Sequence, residues 1–193
     1  MKPDHGGRAK CTCICLYDTE ALRTRVDEVG MHGAARQRFE SQRARSGTEV
    51  EHPRPWQPRL PGSRVLDLCA GSGALGLEAL SRGAVHADFV DASAESLRVV
   101  ETNARTLGAA AMIGLHRADA LAFAAALPVD AYDVAFADPP YRAAIASELA
   151  LLWSRVPFAR LLGVEHESGA KMPAGGRVRR YGMSAITFYE RSQ

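Results

Sequence analysis

RVLDLCAGSGALGLEALSRG, residues 64–83, runs a short apolar, β-rich segment through three glycines and out into helical spacing. RVLDL (64–68) predicts a strand, while Leu75, Leu77 and Leu80 predict a helix that Gly83 stops. Between them, Gly71, Gly73 and Gly76 satisfy G-x-G-x-x-G. Glycine tolerates the positive φ of a sharp turn and lets a ligand approach the main chain; the helix that follows presents free N–H groups at its start. Strand, glycine loop and helix in this order open an α/β fold whose first corner takes a nucleotide-like ligand.

The alternation continues outward. HADFVD (86–91) predicts a second strand, and a helix starts from a Ser93 cap, carries Leu97, Val100 and Ala104 on one face and ends at Gly108. AMIGLHRAD (111–119) reads as a third strand, LAFAAAL (121–127) as a short helix and AYDVAFAD (131–138) as a fourth strand. RAAIASELALLWSRV (142–156) is a helix with Ile145, Leu149, Leu152 and Trp153 as its core-facing stripe, and ARLLGVEH (159–166) is a fifth strand. Residues 177–181 and 185–190 then form two strands around a tight turn at Gly182. The expected fold is α/β: a Rossmann-like, seven-stranded sheet, mostly parallel, with a C-terminal antiparallel hairpin and helices on both faces.

Three acids gather at the carboxyl ends of these strands, where open α/β sheets bind ligands. Asp67 lies in the first strand, Asp91 ends the second and Asp119 ends the third. Asp91 follows Gly71 by about 20 residues, the position from which an acid accepts hydrogen bonds from both hydroxyls of a ribose. Each acid taken singly also suits a helix cap or a turn. An adenosine-bearing cofactor fits the set, and the glycine loop leaves a dinucleotide and S-adenosylmethionine both open.

DVAFADPPY, residues 133–141, resolves that choice. Asp138 follows a buried strand, and Pro139 and Pro140 fix φ and remove N–H donors, leaving carbonyl acceptors. An ionised carboxylate beside such carbonyls suits a group with two hydrogens to donate, an exocyclic amine of a nucleobase or an amide, with Tyr141 as a stacking face. That arrangement aims a nitrogen lone pair at the methyl carbon of a sulfonium. An NAD-dependent dehydrogenase would need a substrate domain and a proton donor where this chain has DPPY and a closing hairpin.

DPPY after the fourth strand resembles amino-group methyltransferases of the seven-stranded, S-adenosylmethionine-dependent fold. The run DLCAGSGALGLEALSRGA, followed by VD, AD, ADPPY, VEH and RRYGMSAITFY, is similar to the RsmD family of 16S rRNA (guanine-N2)-methyltransferases from Arg64 to Tyr189. The resemblance implies S-adenosylmethionine as cofactor, contacted by Asp67, Ala70, Gly71, Ser72, Gly73, Asp91, Ala92, Asp119, Ala120 and Asp138. It places Asp67, Gly71 and Gly73 around the methionine part, Asp91 at the ribose and Asp119 near the adenine amine. Asp138, Pro139, Pro140 and Tyr141 would receive the guanine as catalytic residues. The implied partner is ribosomal RNA or the small-subunit particle, met by a monomer. Members of that family begin with an arm containing an R-P-T-x-D-x-V-R-E-like segment, of which TRVDEVGMHGAARQRFE (24–40) is a distant echo. Other amino-group acceptors, among them a protein amide, and an inactive RNA-binding relative are the competing readings.

Composition agrees with one globular domain: 193 residues, 47% hydrophobic, 24% charged and a net charge of +2. The domain is expected over residues 61–193, with 1–60 as a tail and linker in which helices over 19–29 and 34–45 are expected. These first 60 residues hold 11 Lys and Arg against 8 Asp and Glu, a mildly basic front. Cys11, Cys13 and Cys15 alternate in CTCIC without the second ligand pair a zinc site wants, so incidental packing or an ill-ordered terminus is expected and no metal. No apolar run reaches the roughly 20 residues of a membrane span and no signal peptide is evident, so a cytoplasmic protein is expected. Arg142, Arg155, Lys171, Arg177, Arg179 and Arg180 are candidate phosphate contacts, and His116 and His166 read as structural.

Overall fold

The structure is a computed structural model and describes residues 59–140 and 144–191. The CTCIC run, the helices expected over 19–29 and 34–45, Tyr141 and Arg142 lie outside the described residues. Seven strands form one sheet: β1 (Arg64–Leu68), β2 (His86–Asp91), β3 (Ile113–Arg117), β4 (Tyr132–Ala137), β5 (Ala159–Glu167), β6 (Arg177–Tyr181) and β7 (Ser184–Glu190). Their order is β3-β2-β1-β4-β5-β7-β6, parallel from β3 to β5 and antiparallel at both pairings of β7. Among the described residues, four helices cover it: α1 (Ala74–Ser81), α2 (Ala94–Thr106), α3 (Ala120–Ala125) and α4 (Ile145–Arg155).

Side chains alternate across the pleat, so successive residues of one strand feed two different cores. Val65, Phe89, Val134 and Phe136 pack with Leu77 and Leu80 of α1 and Leu97 and Val100 of α2. Leu66, Leu68, Val90 and Ala135 pack on the other face with Ala124 of α3 and Leu149 and Trp153 of α4. Burial on both faces accounts for the nearly unbroken apolar strands, as expected for a parallel sheet under two helical layers. Leu60, four residues ahead of β1, is 1% exposed and joins the first of these cores.

The Ser93 cap forms as expected: its hydroxyl accepts from Ser96 N–H at 3.2 Å, and Gly108 ends α2 at φ 67°. The third strand is shorter than its sequence suggests, because a 3-10 turn occupies Ala110–Met112 and β3 stops at Arg117. Asp119 therefore does not end a strand. Its carboxylate accepts from Ala122 N–H at 2.9 Å and caps α3, since a short acidic side chain satisfies the free N–H groups of a first turn.

Both described histidines singled out in the sequence are held by neighbours. His116 Nε2 lies 2.7 Å from Asp88 Oδ1, and the same carboxylate accepts from the Tyr132 hydroxyl at 2.9 Å. His166 Nδ1 lies 2.8 Å from the Glu167 carbonyl, an acceptor only, so Nδ1 donates there; Nε2 lies 2.7 Å from Thr187 Oγ1. Among the described residues, no helix is long and apolar enough to cross a membrane.

Register levels the carboxyl ends. Leu68 pairs with Val90 and with Ala137, and Ala137 pairs with Val164. The residues that immediately follow these pairs, Cys69, Asp91, Asp138 and Glu165, consequently stand side by side at one edge of the sheet.

Candidate active site

The glycine corner turns through three positive φ values, 61° at Cys69, 54° at Gly71 and 80° at Gly73. A non-glycine residue in this region is strained, by about 1–3 kcal/mol, and such positions cluster at functional sites. Four hydrogen bonds hold the turn. Ala70 N–H donates to the Val90 carbonyl at 3.0 Å and Gly73 N–H to the Ala70 carbonyl at 2.7 Å. Gly71 N–H donates to Asp91 Oδ2 at 2.9 Å, and Asn103 of α2 reaches across to donate to the Ser72 carbonyl at 3.0 Å. The third glycine serves packing: a Cβ on Gly76 would stand 2.4 Å from the Phe89 ring.

Asp91 also accepts from Ser93 N–H, through Oδ1 at 2.8 Å. A carboxylate has about four lone-pair positions, so acceptor capacity remains for ribose hydroxyls beside Ala92. Asp67 is 1% exposed, and its Oδ2 accepts from Gly76 N–H at 2.9 Å, tying α1 to β1 beneath the loop. Burial pushes its carboxyl up to about 8, against the lowering effect of that hydrogen bond, with the charges of Asp138 and Asp91 adding to the rise. Burial likewise pushes the Cys69 thiol up to about 12, and the carboxylates of Asp91, Asp67, Asp138 and Asp119 all contribute. Ala120, first residue of α3, is buried beside the Asp119 cap.

Asp138 follows β4 directly and is half-buried. Burial and, second, the neighbouring Glu165 push its carboxyl up to about 7. Pro139 is buried and Pro140 exposed, and both line an open recess of about 180 Å³ together with Ser147, Glu165, Lys171 and Met172. Sequence reading missed Glu165, Cys69 and Asn103. Glu165 lies two residues before the end of β5, in the strand that pairs with the one leading into DPP; Asn103 carried no signal, because its partner is a main-chain carbonyl 31 positions away.

Not every expected contact reaches this edge. Arg155 sits in the last turn of α4, which runs back towards the amino ends of the strands, and Arg177 pairs with Glu190 at 3.0 Å. Lys171 lines the recess, and Arg180 and Tyr181 close β6 at the same edge, where Ser168 N–H donates to the Met183 carbonyl at 2.8 Å.

A seven-stranded sheet in this order, a strained glycine corner and an acid-Pro-Pro turn at the same edge define a class I methyltransferase. The family model described as Conserved hypothetical protein 95 matches residues 54–190, and the chain belongs to that family, which is RsmD-like. It is 32% identical over 145 residues to YlbH of Bacillus subtilis strain 168, described provisionally as an rRNA methyltransferase, covering 69% of this chain and 79% of that protein. A ribosomal protein uL3 glutamine methyltransferase of Burkholderia pseudomallei is 38% identical over 112 residues, 55% of this chain but 36% of that one. Among solved structures, yhhF of Escherichia coli, described provisionally as a methyltransferase, superposes with a TM-score of 0.61 at 30% identity, covering 70% and 79% of the two chains. An RNA methyltransferase from Salinibacter ruber in complex with S-adenosyl-L-homocysteine shares the fold, at TM-score 0.53 and 12% identity over 73% of this chain and 93% of that one.

S-adenosylmethionine is the expected cofactor, and the residues present fit it. The open glycine corner admits a ligand to the main chain, and Asp91 has acceptor capacity for a ribose.

Proposed function

We propose that this protein methylates the exocyclic N2 amine of a guanine in the RNA of the small ribosomal subunit. The observation that carries the reading is the acceptor-only corner: Asp138 follows β4 at the edge that holds the glycine loop, and the two prolines after it, without N–H, line the recess. Bound S-adenosylmethionine supplies an electrophilic methyl group on a sulfonium. Asp138 and the adjoining carbonyls accept hydrogen bonds from the amine, turning its lone pair out of conjugation with the ring and towards the cofactor. When the nitrogen gains its methyl group it sheds a proton, and the Asp138 carboxylate is the nearest base placed to take it. Asp67, Gly71, Gly73 and Asp91 hold the cofactor while this happens, with Asp119 and Ala120 beside the adenine.

Charge supports a polyanionic substrate over a glutamine side chain. Ala170, Lys171 and Met172 line the recess, and the segment 168–183 to which they belong holds Lys171, Arg179 and Arg180, besides the Arg177 that pairs with Glu190, and no Asp or Glu. Tyr181 and Met183, 44% and 86% exposed, sit among them, the mixture of cations and apolar faces that grips single-stranded nucleic acid. The glutamine methyltransferase relative gives the second reading its standing, since a primary amide also has two hydrogens to donate. Mass spectrometry of rRNA nucleosides from a deletion strain separates the two. Loss of one N2-methylguanosine from small-subunit RNA is expected, and an unchanged modification map would overturn the rRNA reading.

Asp138 also sets the pH response. Its ionised form accepts the amine hydrogens on both oxygens and can take the proton, whereas protonation turns one oxygen into a donor, and its carboxyl is held near 7. In the free enzyme kcat/KM should therefore rise with pH, stand at about a tenth of its plateau near pH 6 and level off above 8. A profile already flat from pH 5.5 upwards would contradict this role.

A further inference from the structure

We infer that the β6–β7 turn and the loop that precedes β6 hold the RNA beside its target nucleotide: Lys171 and Arg180 take phosphates, Tyr181 packs against a base, and the flanking strand therefore enters unpaired. The inference rests on the RNA reading above and adds the residues that grip the strand and the form in which it is gripped.

Lys171 is exposed and lines the recess from a loop whose backbone is held on both sides of it. Ala170 N–H donates to the Glu167 carbonyl at 2.9 Å, and the Tyr189 hydroxyl donates to the Pro173 carbonyl at 2.9 Å. Met172 packs inward against the core that holds Trp153 and Tyr189. A Cβ at Gly176 would stand 2.3 Å from Thr187 Cγ2, so the loop returns to β6 pressed against β7. A cation presented from a held main chain loses little freedom when an anion arrives.

Register places Arg180 and Tyr181. His166, Ala185 and Arg180 are aligned across β5, β7 and β6, as are Glu167, Ser184 and Tyr181. Opposed residues of an antiparallel pair share a face, so Arg180 stands on the face of His166, which lines the recess, at two strand spacings or about 10 Å. Tyr181 stands on the other face, and β6 is the outer strand, so a chain crossing its end meets both. Ser168 N–H donates to the Met183 carbonyl and fixes the tip, while Tyr181 and Met183 stay 44% and 86% exposed.

Charge separates these two cations from their neighbours. Arg177 is paired with Glu190 at 3.0 Å and Arg179 is half-buried, whereas Lys171 and Arg180 are exposed and have no ion-pair partner among the described residues. Two uncompensated cations beside an exposed ring match a strand that offers phosphates and base faces together. A double helix offers phosphates but keeps its bases stacked, which would leave Tyr181 without a partner. Glu167, exposed and lining the recess, opposes the cations, so removing its charge should act in the opposite direction.

The full chain is titrated with a fluorescent uridine oligomer of about 12 nucleotides, and with an RNA duplex of the same length, between about 50 and 200 mM salt. Lys171→Ala and Arg180→Ala should each flatten the plot of log K against log salt by about 0.7 and their combination by about 1.4, with Arg177→Ala unchanged. Tyr181→Ala should weaken binding of the strand about tenfold at every salt concentration without moving the slope, and Tyr181→Phe, which keeps the ring, should recover most of that loss. Glu167→Gln should bind the strand about twofold more tightly at low salt. Wild type should bind the duplex about tenfold more weakly than the strand. The inference is overturned by a slope that either alanine variant of a cation leaves unmoved, by Tyr181→Ala binding as wild type, by looser binding in Glu167→Gln, or by a duplex held as tightly as the strand. Tighter binding of an oligoglutamate peptide than of the RNA assigns the surface to an acidic protein and overturns it too. Loss of small-subunit N2-methylguanosine in the deletion strain with unmoved slopes keeps the methylation reading and removes this inference. An unchanged modification map with slopes that move as stated keeps the RNA-holding surface and removes the guanine target.

Discussion

Asp138→Ala should reduce methyl transfer by about 10³-fold or more while S-adenosylmethionine binds within about threefold of wild type. The two effects separate because the loads are carried by different elements. Cofactor binding is assigned to the glycine corner and Asp91, which the Val90 and Ser72 carbonyls, Asn103 and the Gly71 N–H hold without help from Asp138. Amine alignment is assigned to the end of β4. Isothermal titration for the cofactor and single-turnover incorporation of labelled methyl into small-subunit RNA measure the two quantities independently. Asp138→Asn sharpens the result. An asparagine keeps one acceptor oxygen but has no carboxyl to titrate, so it should fall between wild type and alanine, and its residual rate should lose the rise with pH through 7. Wild-type activity in the alanine variant would remove Asp138 from the chemistry.

The strand-loop-helix units were legible because each rests on local signals. β1 and β2 have the bounds their β-rich runs suggest, and Ser93 and Gly108 bracket α2 as a cap and a stop should. The acids were legible as residues but not as environments. The sequence reads Asp67, Asp91 and Asp119 as ligand contacts delivered by three successive strands, each for a different part of the cofactor. In the fold they are a buried anchor for α1, a brace for the glycine turn and a helix cap. What separates them is burial and the N–H each one meets, neither of which has a sequence period. Glu165 was overlooked for a related reason: VEH reads only as the end of the fifth strand until the pairing of Ala137 with Val164 sets the residues after them side by side. Asn103 shows the same limit, as no spacing rule relates a residue inside α2 to the carbonyl of Ser72.

Gly76→Ala should destabilise the protein by about 2 kcal/mol and weaken S-adenosylmethionine binding about tenfold. Two effects oppose one another. Alanine favours a helix over glycine by about 1 kcal/mol, and Gly76 lies inside α1 with no positive φ to protect. Against this, the new Cβ would lie 2.4 and 2.6 Å from two carbons of the Phe89 ring, which is 0% exposed. Overpacking of that kind costs about 1–3 kcal/mol and occasionally more, and here it wins because the ring cannot swing away. A Cβ at Gly73 would meet that same ring at 3.2 Å and Val100 at 3.0 Å, so the room on the loop side is already used. Relief must come from α1 moving off the sheet, which drags the Gly76 N–H from Asp67 and loosens the corner that holds the cofactor. Chemical denaturation and cofactor titration read out the two consequences. Phe89→Leu should cost stability when made alone but recover both quantities in the Gly76→Ala background, with a coupling of about 1 kcal/mol or more. Strict additivity of the two substitutions would show that the contact between Phe89 and α1 does not hold the loop in place.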